Sequence, residues 1–399
     1  MDNLRFVSNN CNGLATSDKD RIKFFLYLQN AIKKNGILFL QETHSTKDTA
    51  NKFCKDFGNE NELYFSHGAS NSCGVAIGFC GNFEREIIKE IADPNGRFLL
   101  MQVKIGDSEY ALINIYNPNV EKDQLKLLLE VGEKMDQLDI KADTKVILSG
   151  DFNFYFYKTL EANGGNPTTK LQSIACFIKI KEKFDLVDIW RVQHPKEKRY
   201  TFRQNRNTGK LQRRLDFIFI SDHLQPAVMN SDIKVAMCTD HSPVYMDLSL
   251  ENINLQKGAG FWKYNSSLNK DPIYKESLRN LIRIFLETNC NLNKQIKWEL
   301  LKYEVRKFTI SYTKRIAKEK RANKENLENQ IASFNAANAD QENEAFKKAR
   351  KDLEKIYEDI AIGVRVRSKC EWYELGEKSN KYFLNLEKKS YYFYHYKVN

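Results

Sequence analysis

No stretch of the chain approaches the ~18 uninterrupted apolar residues of a membrane span. No basic start leads into an apolar segment at the amino terminus, so neither a bilayer anchor nor a secretory signal is expected. The eight cysteines (Cys11, Cys54, Cys73, Cys80, Cys176, Cys238, Cys290 and Cys370) form no C-x-x-C pair and have no His at zinc spacing. That argues against a disulfide framework or a zinc finger, and leaves small reduced core residues in a soluble nuclear or cytoplasmic protein. Internal repeats and a paired-aspartate polymerase motif are lacking too. Beyond Glu251 glycine and proline become scarce, which leaves that part of the chain to long helices.

What is present suffices for a core: 42% of the 399 residues are apolar and 12% aromatic. The net charge of +11 is unevenly placed, with 33 Lys and Arg against 32 Asp and Glu in residues 1–250, and 30 against 20 in residues 251–399. One large domain at 1–250 and a basic helical segment at 251–399 are therefore expected. A basic tail attracts a polyanion by counterion release, whereas a Lys/Glu-rich helix that only keeps itself solvated is the plainer alternative.

Short β-like runs recur at Leu4–Val7, Gly36–Leu40, Gly74–Phe79, Phe98–Val103, Tyr110–Ile115, Lys145–Leu148, Leu215–Ile220 and Val244–Leu248. Helix-period stretches lie between some of them, at Asp18–Lys34 and Val120–Leu138. Several runs follow one another without room for a crossover helix, which predicts a largely antiparallel two-sheet α/β sandwich with outer helices. In the tail, Asp271–Leu286, Lys297–Glu328 and Ala345–Tyr373 read as helices, with the polar patch Ala336–Asn343 as the turn of a coiled-coil-like hairpin.

Polar residues collect where these runs end, at one rim of the expected sheets. Asn9, Asn10 and Asn12 follow the first run, and Glu42 follows the second, where a carboxylate makes a reasonable ligand for a hard metal ion. Tyr116, Asn117 and Asn119 offer donors for phosphate oxygens. In Ser149-Gly150-Asp151-Phe152-Asn153 an acid and an amide two residues apart project to the same side of an extended chain, fit to position and deprotonate a water. Asp216 lies in an apolar strand and needs a partner; Asp240-His241 supplies an imidazole whose tautomer such an acid would set. No covalent nucleophile is required.

The ordered set Asn10, Glu42, Tyr116-x-Pro118-Asn119, Gly150-Asp151-x-Asn153, Arg214-x-Asp216 and Asp240-His241 resembles the endonuclease/exonuclease/phosphatase superfamily, and within it the LINE-type retrotransposon endonucleases. The resemblance implies a deoxyribonuclease-I-like, four-layered αββα sandwich and a Mg²⁺-dependent hydrolase, with Mn²⁺ as a substitute and no small-molecule cofactor. By that resemblance Asn10, Glu42, Asp151, Asn153, Asp240 and His241 surround the metal, and Tyr116, Asp151, Asn153, Asp216 and His241 carry catalysis. Asn9 stands where the family has an apolar or aromatic residue, and Asn12 where repair enzymes carry Asp.

DNA is the partner implied, without a membrane. Between Phe202 and Arg214 lies a basic hairpin with an Asn/Gly tip, suited to a groove. Asn12, Asn119, Thr201, Arg203, Arg206, Lys210 and Arg213 are the candidate DNA contacts. Phe261-Trp262-Lys263-Tyr264-Asn265 to Leu268, and later Arg367 to Glu387, resemble the segment that joins endonuclease to reverse transcriptase in LINE polyproteins. A polymerase is accordingly expected in the intact element, and element RNA is a further candidate partner for the tail. The function implied is nicking of one DNA strand to leave a 3′-hydroxyl. A phosphatase or phosphodiesterase of the same fold, or a nucleic-acid-binding remnant without activity, are the alternatives.

Overall fold

The apolar runs of the first part become strands β1 (Asp2–Asn10), β2 (Gly36–Gln41), β3 (Glu62–Ser66), β4 (Val75–Cys80), β5 (Arg85–Ala92), β6 (Phe98–Ile105), β7 (Ser108–Tyr116) and β8 (Lys145–Asp151). They continue as β9 (Ala162–Asn163), β10 (Leu186–Asp188), β11 (Phe202–Arg206), β12 (Gly209–Arg213), β13 (Asp216–Ser221), β14 (Val228–Ile233) and β15 (Val244–Leu250). Helices α1 (Asp18–Ile32), α2 (Lys47–Phe57), α3 (Glu121–Asp136), α4 (Lys158–Glu161), α5 (Leu171–Lys183) and α6 (Ile189–Gln193) lie between them. The computed structural model describes residues 2–368 except 15–17, 33–34, 59–60, 70, 82, 166–167, 207–208, 237–238, 251–263, 292 and 337–343. Phe261, Trp262 and Lys263 of the first tail motif, nearly all of the Arg367 to Glu387 segment, and most of the polar patch lie outside the described residues.

Two six-stranded sheets result, in the orders β14-β15-β1-β2-β4-β3 and β10-β13-β8-β7-β6-β5. Only β1–β2 and β7–β8 pair in parallel, and a helix separates the partners in each case, α1 for the first and α3 for the second. Antiparallel neighbours need no such crossover. The architecture is thus two mixed sheets with flanking helices. α3 and α5 cover the second sheet: Leu128, Val131, Met135 and Phe177 pack on Leu100, Ala111, Ile113, Phe217 and Phe219. Phe152 sits edge-on to Phe154, Phe177, Phe217 and Phe219 at 5.0–5.6 Å, tying the end of β8 into this cluster. A buried polar bridge joins the sheets: the Gln41 amide donates to Asn114 Oδ1 at 2.7 Å, and the Asn114 amide donates to the carbonyls of Leu40 and Ala76.

The chain divides into two units, residues 1–254 with 354–399, and residues 255–353. In the second, α7 (Pro272–Thr288) begins at an Asp271 cap with Pro272 in its first turn, and α8 (Lys294–Ala336) and the start of α9 (Glu344–Ser368) follow. Tyr274, Tyr312 and Leu268 form its buried cluster. No helix among the described residues is long and apolar enough to cross a membrane. The six described cysteines are free.

Candidate active site

Strand register brings the candidate residues together. In the second sheet Tyr116 of β7 is the parallel partner of Asp151 of β8, and Asp151 is the antiparallel partner of Asp216 of β13. One row across three strands therefore carries a phenol and two carboxyls. In the first sheet Asn10 pairs with Gln41, one residue before Glu42. An isolated bridge between Phe202 and His241 holds the histidine beside the same rim.

Side chains close the gap between the sheets. The Asn10 amide donates to Glu42 Oε1 at 2.9 Å and to Asp151 Oδ2 at 3.0 Å, so one carboxamide spans both carboxylates. His241 Nδ1 lies 2.9 Å from Asp216 Oδ2, and its Nε2 lies 4.0 Å from Asp151 Oδ2. An acid on Nδ1 sets the tautomer and turns Nε2 toward the site. The Asn12 amide reaches Asp240 at 3.3 Å, and Tyr116 hydrogen-bonds to Glu42.

The backbone here is unusual. Asn12, Glu42, His44 and Asn153 all have φ between 49° and 52°, and only two other non-glycine residues share that region among those described. Strain of this kind persists where surrounding contacts over-determine it. Gly150 has φ 149°, and a Cβ there would stand 2.0 Å from the carbonyl oxygen of Ile115. Glycine is what lets β8 run close against β7 one residue before Asp151.

Two loops of the site are stitched together by side-chain amides, Asn117 among them, and by Gln124 and Lys170, which no sequence pattern marks. Asn117 donates from its backbone to Asp151 O and from its side chain to Phe152 O, and the Asn153 side chain donates back to Asn117 O at 2.7 Å. Gln124 donates to the carbonyls of Pro118 and Asn153, and Lys170 to those of Asn119 and Asn153, both at 2.7 Å. Gln124 and Lys170 sit in or beside helices, where no local pattern separates them from solvated residues. His44 is a further omission, 3.8 Å from Glu42 and packed over Gly13.

Three of the expected DNA contacts lie in packed surroundings. Thr201 is fully buried, and its hydroxyl accepts from the backbone amides of Leu215 and Asp216. Arg213 is buried and donates to the carbonyls of Asn163, Gly164 and Gln212. Arg203 is largely enclosed and donates to Ser242 Oγ at 2.8 Å. The base of the hairpin is packed: β12 pairs with β9 as well as β11, and the backbone of Thr201 and Arg203 bonds to that of Ser242 and Asp240. Asn119 is exposed, Lys210 half-buried, and the side chain of Arg206 lies outside the described set. Arg214 is buried between Glu161 and Asp188, over the rings of Trp190 and Phe217.

Electrostatics follow from the enclosure. Burial, and then the Asp216 charge, push the Asp151 carboxyl well above the ordinary carboxylate range, against the pull of His241 and Asn10. Burial works against the His241 cation, but the charge and hydrogen bond of Asp216, with Asp151 and Asp240, outweigh it and raise the imidazole. Tyr116 is raised by burial and by Glu42, so its phenol keeps its proton. Cys11 is raised by burial and Glu42, which leaves it an inert thiol.

A hard cation fits this donor set. Ligand atoms of Asp151, Asp216 and His241 lie within 4.8 Å of one another. The buried Oδ1 of Asp216 has no hydrogen-bond partner among the described residues. Glu42, Asp151 and Asp216 pair with histidines and amides, and with no Lys or Arg among the described residues.

No family model matches the chain. Over 362 residues, 89% of its length, it is 27% identical to the uncharacterized 149 kDa protein of transposon TX1 from Xenopus laevis, and it spans 27% of that protein. Its fold is similar to the AP endonuclease LMAP from Leishmania major, with a TM-score of 0.53 at 18% identity, covering 62% of this chain and 88% of that one. The chain therefore contains a domain of deoxyribonuclease-I-like fold within a sequence similar to a transposon protein.

Proposed function

We propose that this chain is a Mg²⁺-dependent endonuclease that nicks one strand of DNA and leaves a 3′-hydroxyl, as an element would need to prime its own copying. The observation that carries the reading is the Glu42–Asn10–Asp151 bridge set beside the Asp216–His241 pair at one rim of two sheets. Likeness to a transposon protein and to an AP endonuclease fold supports it.

Glu42 would hold Mg²⁺, or Mn²⁺ in its place, with Asn10 fixing its carboxylate; Asp151, Asn153, Asp240 and His241 stand around it. The bound cation would supply charge stabilisation for the phosphate in the transition state. Asp151, whose enclosure favours proton uptake, accepts the proton of the attacking water. Asn153 orients that water through the carboxamide oxygen, because its amide donates to Asn117 O. His241, locked by Asp216, presents Nε2–H to a phosphate oxygen. Tyr116 and Asn119 donate to the others, and the phenol does so protonated.

Purified protein incubated with supercoiled plasmid and Mg²⁺ should give the open circular form, and EDTA should stop it. Asp151→Ala, Asp240→Ala and His241→Ala should each lower the rate at least ~100-fold, the order of a lost transition-state donor, with circular dichroism unchanged. Wild-type nicking by the folded triple variant would sink the assignment. Release of phosphate from small monoesters without nicking would favour a phosphatase.

A further inference from the structure

We infer that the outer face of α8 is a docking surface for the phosphate backbone of duplex DNA. Lys307, Lys314, Lys318 and Arg321 are spaced i, i+7, i+11 and i+14, which puts them on one face of a helix, and all four are exposed. The opposite side of the same stretch is anchored. Tyr312 and Thr309 are buried, Tyr312 packs on Tyr274, and the Tyr274 hydroxyl meets Thr309 Oγ1 at 2.7 Å. The helix therefore cannot roll its cations inward without breaking that cluster.

A solvated helix normally balances such residues with acids. Elsewhere in this unit it does, as in Arg283–Glu287, Lys302–Glu299 and Arg315–Glu319. On the face in question only Lys307 has a carboxylate in reach, Glu304 at 3.9 Å, and Lys314, Lys318 and Arg321 have none among the described residues. At 1.5 Å of rise per residue the stripe runs about 21 Å, against one phosphate charge per ~1.7 Å of duplex axis. Unbalanced charge of one sign on a fixed straight edge complements that polyanion. Phe308 and Tyr312 turn inward, and the single exposed ring on this face, Tyr303 a turn before Lys307, makes no run of platforms for successive unpaired bases, which favours a duplex over a single strand. Glu325 ends the stripe.

The inference rests on the proposed function only in naming DNA as the polyanion, and binding in EDTA tests it whether or not the chain nicks. Full-length protein would be titrated with a short duplex of arbitrary sequence across a range of salt. The variant Lys307→Gln/Lys314→Gln/Lys318→Gln/Arg321→Gln should make the slope of log K against log salt shallower by about 3–4, since each phosphate contact contributes about 0.9. A charge-matched control, Lys104→Gln/Lys122→Gln/Lys126→Gln/Lys179→Gln on the exposed surface of the sandwich, should change it by less than about 1. Lys307→Arg/Lys314→Arg/Lys318→Arg should keep the parental slope. If the quadruple variant loses helicity, Lys318→Gln and Arg321→Gln are tested singly, each lowering the slope by about 0.9. Equal losses in stripe and control variants, an unchanged slope, or a loss seen only with single-stranded RNA would each overturn the inference.

Discussion

At the scale of single residues, the site depends on groups that face away from the chemistry. Thr201 is the clearest case: its hydroxyl satisfies two backbone amides, one of them that of Asp216. Valine would keep the shape and leave those buried donors bare, at a cost of about 1–3 kcal/mol. Thr201→Val should therefore lower stability in urea and reduce kcat through a displaced Asp216, while the salt dependence of DNA binding stays as in the parent. A loss of binding with full stability would return Thr201 to the DNA interface. Lys170 acts similarly. Its ammonium holds the Asn119 and Asn153 carbonyls, so the two loops that present those amides move together. The carboxylates and amides of the site were legible one by one, because each ends an apolar run; the donors that hold them were not.

At the scale of elements, strand register does the assembling. Tyr116, Asp151 and Asp216 come from separate regions of the sequence and meet because β7, β8 and β13 are neighbours in one row. A one-residue slip would send every side chain of a strand to the other face. Gly150 guards that register. Gly150→Ala places a Cβ 2.0 Å from Ile115 O, and we expect a cost of about 2–4 kcal/mol with nicking lost in the fraction that remains folded. Urea unfolding and the plasmid assay read the two effects separately, and a variant as stable and active as the parent would show that β7 and β8 part easily. The strands richest in apolar residues were readable from their runs. β5 was not, since its exposed Glu86, Lys89 and Glu90 break the pattern on an edge strand, nor was the short β9 that turns the basic hairpin into a three-stranded sheet.

At the scale of the whole molecule, the chain carries two units of different construction, and the helical one hinges on an acid. Asp271 caps α7, accepting from the Ile273 and Tyr274 amides, and accepts from the Tyr312 hydroxyl at 2.7 Å. The hydrogen bond from Tyr312 leads the effects that hold its carboxyl below the ordinary value. A carboxyl depressed on folding stabilises fully above its unfolded pKa, and the contribution fades as pH falls through the folded one. The helical signal of the full chain should thus melt at lower temperature as pH drops below the usual carboxylate range, and Asp271→Asn should flatten that dependence. An equally steep acid loss in the variant would assign it to other carboxylates.

By itself the sequence determined the local facts: which runs are strands, where the charge lies, that Gly150-Asp151-x-Asn153 ends an apolar run, and that the cysteines form no metal spacing. Period and composition act over a few residues, so they survive without a fold. Only the tertiary structure decided that Asn10 bridges Glu42 and Asp151, that Asp216 takes His241, and that Thr201 and Arg213 are buried. Those are contacts between residues far apart in sequence, set by sheet order and register, and no pattern along the chain encodes which rim meets which.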